Sequence, residues 1–132
     1  MKKQMTNKQK DNLAIELIEM LQKDDLFEEI TIYTNNKRYT SESNKSSSDN
    51  NEQKLNTKYG TYYVTNFENK KVTEIDQYAN PLTLTMTFEG ALYSLINNCS
   101  RSIENKLDIL FAKYNLQYEL DFSWSLSTWY KD

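Results

Sequence analysis

Residues 116–126 read Leu-Gln-Tyr-Glu-Leu-Asp-Phe-Ser-Trp-Ser-Leu, a stretch in which apolar and polar side chains alternate without a break. Because successive side chains of a β-strand point to opposite faces of the sheet, this alternation predicts a strand with one packed face and one face in water. At about 3.3 Å per residue the stretch would span about 36 Å, which is long for a globular strand. We therefore expect a bend or bulge within it, or an end near Ser123.

A second stretch, residues 82–88, has the same period, with threonine at every second position. We expect this strand and the strand that starts at Leu116 to form the centre of the sheet. Further strands are predicted at residues 30–34, 37–40, 58–65 and 71–78, which are rich in β-branched or aromatic residues. Asn35 and Asn36 tolerate the left-handed backbone of a hairpin turn and so join the first two.

Helices are predicted at the N-terminus and before the last strand. Thr6 and Gln9 have the spacing of a capping box, and apolar residues then recur with helical period to about Lys23. A short helix over 91–97 is followed by one that Ser100 or Ser102 caps and that ends near Asn115. The second of these helices carries its apolar stripe at Ile103, Leu107, Leu110, Phe111 and Tyr114. The order predicts a single α+β domain over residues 1–132: a mostly antiparallel sheet of about five or six strands, an N-terminal helix and two helices before the last strand.

Residues 41–54 contain no apolar side chain. Burial of such a segment does not offset the conformational entropy that ordering removes, so we expect a mobile polar loop at about 41–57 within the domain. The lone Cys99 excludes a disulfide within the chain, and we expect it to be a small buried apolar residue.

The composition excludes several kinds of catalytic site. The chain has no histidine, one cysteine and two glycines, which rules out histidine-containing zinc sites, histidine-dependent triads and a glycine-rich phosphate loop. Glu-x-Lys tripeptides begin at Glu52, Glu68 and Glu104 and match the tail of a metal-dependent nuclease pattern, but a chain rich in both residues contains such matches by chance. We therefore predict no catalytic residue, no metal and no cofactor.

Two groups of charged residues are candidate binding surfaces. Asp24, Asp25, Glu28 and Glu29 place four carboxylates in six residues, either as a solvated rim or as an acidic patch that binds a partner. A basic face with aromatic rings on which nucleic-acid bases could stack is the second candidate. Its members are Lys37, Arg38, Lys58, Tyr59, Tyr62, Tyr63, Lys70 and Lys71. The net charge of −3 argues against strong nucleic-acid binding, and these tyrosines are also typical of cross-strand pairs in a sheet.

Residues 78–93 (Tyr-Ala-Asn-Pro-Leu-Thr-Leu-Thr-Met-Thr-Phe-Glu-Gly-Ala-Leu-Tyr) and 110–120 (Leu-Phe-Ala-Lys-Tyr-Asn-Leu-Gln-Tyr-Glu-Leu) resemble segments of small proteins carried by plasmids, phages and conjugative elements of Gram-positive bacteria. Some proteins of that kind are anti-CRISPR inhibitors of Cas9. The resemblance implies a non-enzymatic antagonist that binds a host CRISPR effector protein or its guide RNA. In the first case the acidic patch mimics DNA, and in the second the Tyr/Lys face binds RNA.

The alternative function is an accessory factor in plasmid or phage gene regulation or transfer, which binds nucleic acid or forms a homodimer. No apolar run approaches the roughly 18 residues that a membrane helix needs, so we expect no membrane partner and a location in the cytoplasm of the bacterial host cell.

Overall fold

The structure is a computed structural model that describes residues 5–45, 52–67 and 79–131. Within these ranges the helices are α1 (Asn7–Lys23), α2 (Gly90–Asn97) and α3 (Arg101–Ala112), with a short 3-10 helix at Glu42–Asn44. The strands are β1 (Ile30–Thr34), β2 (Lys37–Thr40), β3 (Glu52–Thr57), β4 (Gly60–Asn66), β5 (Thr85–Phe88), β6 (Leu116–Phe122) and β7 (Ser125–Tyr130). The predicted α+β domain is confirmed, with seven described strands instead of five or six.

All described strands belong to one sheet in the order β3-β4-β2-β1-β5-β7-β6, and every neighbouring pair is antiparallel. β1 lies at the centre, beside β5, whereas β6 is an edge strand. The expectation that the Leu116 strand is central is therefore wrong. Side-chain alternation shows which face of a strand is packed, but it contains no information about the neighbours of that strand.

The stretch 116–126 divides into two strands. β6 ends at Phe122, a turn follows at residues 123–124, and the register against β7 shifts between Leu120 and Phe122. The predicted irregularity and the predicted early end are both present. Leu116 and Leu126 are buried as the alternation predicts, but Leu120 and Phe122 in the last part of the edge strand β6, and Trp124 in the turn after it, are exposed.

The polar segment predicted as a loop contains secondary structure. The 3-10 helix and β3 both fall within residues 41–57, and β3 pairs with β4 along its whole length. An outer strand is held by backbone hydrogen bonds to one neighbour and can keep its side chains in water, so a polar sequence is compatible with it. Residues 46–51 and the strand predicted at 71–78 lie outside the described residues.

The helix ends follow their local sequence signals. Gln9 N donates to Thr6 Oγ1 at 3.1 Å, and Thr6 N donates to Gln9 Oε1 at 2.9 Å, so the capping box is formed. Asn115 is left-handed, with φ of 60°. The apolar stripes pack on one face of the sheet; their fully buried members include Leu13, Leu17, Ile18 and Leu21 of α1 and Leu107 and Phe111 of α3.

Cys99 is exposed, so the expectation that it is buried is wrong. It follows α2 with φ of 59°, Cys99 N donates to Ile96 O at 3.2 Å, and Ser100 N donates to Leu95 O at 2.9 Å. This is the Schellman pattern that ends many helices. Its geometry places residue 99 at the outside of the turn.

Buried hydroxyl groups join the segment before β5 to β7. Leu84 N donates to Thr128 Oγ1 at 3.1 Å, and this hydroxyl lies 3.0 Å from Leu84 O, to which it donates. Thr83 Oγ1 and Asn80 Nδ2 both donate to Thr128 O, at 2.6 and 2.9 Å. Thr40 is also buried, yet its Oγ1 has no hydrogen-bond partner in the part of the chain that the structure describes.

Replacing these two threonines by valine is expected to have opposite effects on stability. Thr128→Val leaves the N–H of Leu84 buried without its acceptor and should lower the free energy of unfolding by about 1–3 kcal/mol. Thr40→Val keeps the shape of the side chain and removes an unpaired buried hydroxyl. It should therefore raise the free energy of unfolding by up to about 1 kcal/mol. Urea unfolding followed by circular dichroism measures both, and destabilisation of equal size in the two variants would contradict this assignment.

Candidate functional site

The loop over residues 24–29 takes its shape from the way α1 ends. Leu26 N donates to Leu21 O at 2.7 Å and Asp25 N donates to Gln22 O at 3.1 Å. This second Schellman pattern gives Asp25 a left-handed backbone, with φ of 59°. Leu26 is buried and anchors the loop, while Asp25 is exposed.

The far end of this loop is attached to the 3-10 helix. Glu29 N donates to Ser43 Oγ at 2.7 Å, and Ile30 N donates to Ser41 Oγ at 3.1 Å. Asn44 Nδ2 donates to Thr31 Oγ1 at 3.0 Å. These hydrogen bonds hold the 3-10 helix, which carries Glu42, beside the acidic loop.

A cleft of about 660 Å³ opens between the loop, the 3-10 helix and the turn that joins β3 to β4. Four carboxylates line it, those of Asp25, Glu28, Glu29 and Glu42, and we call this surface the acidic cleft. The other described lining residues are Gln22, Phe27, Ser43, Tyr59, Gly60 and Thr61, with no lysine or arginine among them. Every charged side chain in the described lining is therefore acidic, and Lys45, which is not part of that lining, places its Nζ 3.9 Å from Glu42 Oε1.

The wall opposite the loop is fixed by Gln22 of α1. Its Nε2 donates to Thr61 O at 3.1 Å, and its Oε1 accepts a hydrogen bond from the hydroxyl of Thr57. These bonds connect the end of α1 to both strands of the β3–β4 hairpin. The walls of the acidic cleft thus belong to one hydrogen-bonded framework.

The structure brings together three of the four predicted acids, Asp25, Glu28 and Glu29. Asp24 does not line the cleft, since its Oδ2 accepts a hydrogen bond from Lys106 Nζ of α3 at 2.5 Å. Sequence reasoning missed Glu42. The predicted hairpin contained the signal, because pairing around Asn35 and Asn36, continued past Thr31↔Thr40, places residue 42 opposite residue 29.

The predicted basic and aromatic residues do not form one surface. Tyr62 and Tyr63 are neighbours on β4, so their side chains point to opposite faces, and each is 7% exposed. Lys58 and Tyr59 are exposed in the β3–β4 turn, where the Lys58 ammonium lies 5.2 Å from the centre of the Tyr59 ring. Lys70 and Lys71 lie outside the described residues.

Lys37 and Arg38 also point to opposite faces of their strand. The Arg38 guanidinium lies 5.4 Å from the centre of the Phe67 ring. The Lys37 ammonium pairs with Asp11 of α1 at 3.1 Å, and Tyr39 OH donates to the same carboxylate at 2.7 Å. Lys37 therefore helps to fasten β2 to α1.

Asp11 and Tyr39 have shifted pKa values that fit this structural role. Burial alone would raise the pKa of Asp11, but hydrogen bonds from Asn35, Tyr39 and Lys37 outweigh it and hold this pKa below its usual value. Burial, followed by the hydrogen bond to Asp11, raises the pKa of the Tyr39 phenol. The carboxylate is thus stabilised as an ion that joins α1 to the β1–β2 hairpin.

Comparison with known proteins finds no match. No protein-family model matches the chain, and no curated protein or solved structure is similar to it. Among the described residues, no group of three or more metal-ligating side chains is placed to hold a metal ion. No helix in the described ranges is long and apolar enough to cross a bilayer.

A second cleft, of about 350 Å³, adjoins the acidic cleft and shares Glu29 with it. Its described lining consists of Glu29, Tyr33, Asn44, Thr87, Phe88, Glu89 and Trp124. The Trp124 ring stacks on Phe122 with a centroid distance of 5.1 Å and an interplanar angle of 10°. We call this surface the aromatic cleft. Both stacked rings are partly in water, with Trp124 39% and Phe122 41% exposed.

Proposed function

We propose that this protein is a non-enzymatic inhibitor that binds a Cas9-type effector of a bacterial defence system through the acidic cleft. The observation that supports the proposal is the convergence of four carboxylates on one cleft whose described lining contains no basic residue. Effectors of this type hold nucleic acid in a positively charged channel. The carboxylates fit sites in such a channel that otherwise hold phosphate groups, and the encounter takes place in the cytoplasm of the bacterial host cell.

The charge of the cleft favours a protein over guide RNA as the direct partner. Phosphate neutralisation by lysine and arginine dominates nucleic-acid affinity, and a surface of carboxylates repels phosphates. The RNA-binding route needs bases to stack on a face of several tyrosine rings, but of the three predicted tyrosines only Tyr59 is exposed, while Tyr62 and Tyr63 are buried. A basic protein surface satisfies the same carboxylates by direct ion pairing.

The framework around the cleft also suits a docking surface. The Schellman turn fixes Asp25, the hydrogen bond from Glu29 N to Ser43 Oγ fixes the 3-10 helix, and Gln22 fixes the hairpin wall. Little backbone ordering is then needed on binding, which reduces the entropic cost of association. The concentrated negative charge should accelerate encounter with a basic partner, and this effect should weaken with salt.

The test is a pull-down with tagged protein from a CRISPR-bearing Gram-positive host, with and without nuclease treatment. The proposal expects a Cas9-type effector in both samples. Recovery only in the untreated sample would show that nucleic acid bridges the two and would contradict direct docking. Recovery of no effector from a host that expresses one would overturn the proposal.

A homodimeric accessory factor is the second candidate, and the outer edge of the sheet supports it. β6 is an edge strand, and Leu120 on it is 46% exposed. Light scattering separates the two candidates. A solution mass of about twice 15.7 kDa favours the homodimeric accessory factor. A solution mass of one chain excludes a homodimer and with it the support for this candidate.

A further inference from the structure

The position of Trp124 is fixed by contacts with two other elements. Phe88 N, at the end of β5, donates to Trp124 O at 2.8 Å. Asn97 Nδ2, at the end of α2, donates to Ser123 O at 2.8 Å. These bonds hold the backbone of the turn between β6 and β7, and the indole ring, stacked on Phe122, forms one wall of the aromatic cleft.

Two carboxylates lie in the same cleft, those of Glu29 and Glu89. Their backbones are joined, since Glu89 N donates to Glu29 O at 3.1 Å. Gly90 leaves room for one of them, because a Cβ at that position would lie 2.8 Å from Glu29 Oε2, and its φ of 65° also favours glycine. The local sequence thus places two acids beside an exposed indole ring, with no lysine or arginine among the described lining residues.

We propose that the aromatic cleft binds the guanidinium group of an arginine on the partner protein that docks on the acidic cleft. The face of an indole ring attracts cations, and the planar guanidinium group both stacks on such a ring and donates paired hydrogen bonds to a carboxylate. The inference rests on the proposed function for the source of the arginine. Glu29 lines both clefts, so one basic surface of the partner covers them together.

The probe is N-acetyl-arginine methylamide, titrated into the labelled full-length chain and followed by nuclear magnetic resonance. The expected result is a saturable shift of the Trp124 indole N–H and the Gly90 amide, and no shift with the neutral citrulline analogue. Trp124→Leu keeps apolar bulk without an aromatic ring, and Glu89→Gln removes one charge. Each should weaken binding about five- to tenfold, as read from the Gly90 amide.

Trp129→Leu and Glu119→Gln are the matched controls, because both residues are exposed and neither lines the cleft. They should change the affinity for the probe less than twofold. Equal binding of the citrulline analogue, or unchanged affinity in Trp124→Leu, would overturn the inference.

The outcome of this titration does not depend on the outcome of the pull-down, since neither Trp124 nor Glu89 lines the acidic cleft. Arginine binding at the aromatic cleft together with absence of an effector from the pull-down supports the arginine site and overturns the proposed function. An effector captured by a chain whose aromatic cleft does not bind the arginine probe supports the function and overturns the arginine site.

Discussion

A variant with Asp25→Asn, Glu28→Lys and Glu42→Lys is expected to bind the effector at least about 100-fold more weakly than the natural chain. Two reversed charges place ammonium groups against a basic partner, and like charges in an interface cost several kcal/mol. Asparagine is chosen at position 25 because it tolerates the left-handed backbone that the Schellman turn imposes there. The measurement is biolayer interferometry with the purified effector at low and high salt, and the loss should be greater at low salt.

The matched control is a variant with Glu104→Gln, Asp108→Lys and Glu119→Lys, three acids that line neither cleft. Both variants change the formal net charge from −3 to +2, so overall charge is equal between them. The control should keep its affinity within about threefold. Equal losses in both variants would show that net charge alone matters, and unchanged binding of the first variant would exclude the acidic cleft as the docking surface.

Local signals account for the parts of the fold that sequence predicted well. A capping box depends on residues three positions apart, and Thr6 and Gln9 form it as their spacing indicates. The asparagines at 35, 36 and 115 all adopt the left-handed conformation that turns and helix ends require. In these cases the residues that decide the conformation lie close together in the chain, so the local sequence is enough to predict it.

Sheet order depends on contacts between distant residues, and here the sequence predicted the interior position of β5 but not the edge position of β6. β6 has the strongest alternation but lies at the edge, and the polar β3 pairs with β4 although its sequence carries no strand pattern. Backbone hydrogen bonds hold an outer strand with little help from its side chains. An outer strand can therefore be as polar as β3 and show no alternating apolar pattern, or alternate as strictly as β6.

The acidic cleft, like the fold, was predictable from the sequence where its residues are close together in the chain. The run that contains Asp25, Glu28 and Glu29 is visible in the sequence, and the hairpin register extends it to Glu42. Asp24 differs because its partner, Lys106, is 82 positions away on α3, and no local pattern indicates that contact. For the tyrosines of β4, strand alternation alone separates residue 62 from residue 63 and excludes one shared stacking surface.

Shortening Leu107 to alanine is expected to lower the free energy of unfolding by about 2–5 kcal/mol, because its side chain is fully buried where α3 packs on the sheet and truncation leaves a cavity. Ile109, two residues later on the same helix, is 68% exposed. Ile109→Ala should therefore change stability by no more than about 0.5 kcal/mol, since alanine is also the better helix former. Urea unfolding of both variants, followed by far-UV circular dichroism, gives the two values.

The contrast between these variants tests whether the helical period of α3 identifies its buried face. The stripe of Ile103, Leu107, Leu110 and Phe111 follows helical spacing, whereas Ile109 is apolar but out of phase with it. A loss of several kcal/mol in Ile109→Ala would mean that a partner or a second copy covers that residue in solution. A small effect of Leu107→Ala would mean that α3 does not pack on the sheet as the structure shows, and would also place the contact between Lys106 and Asp24 in doubt.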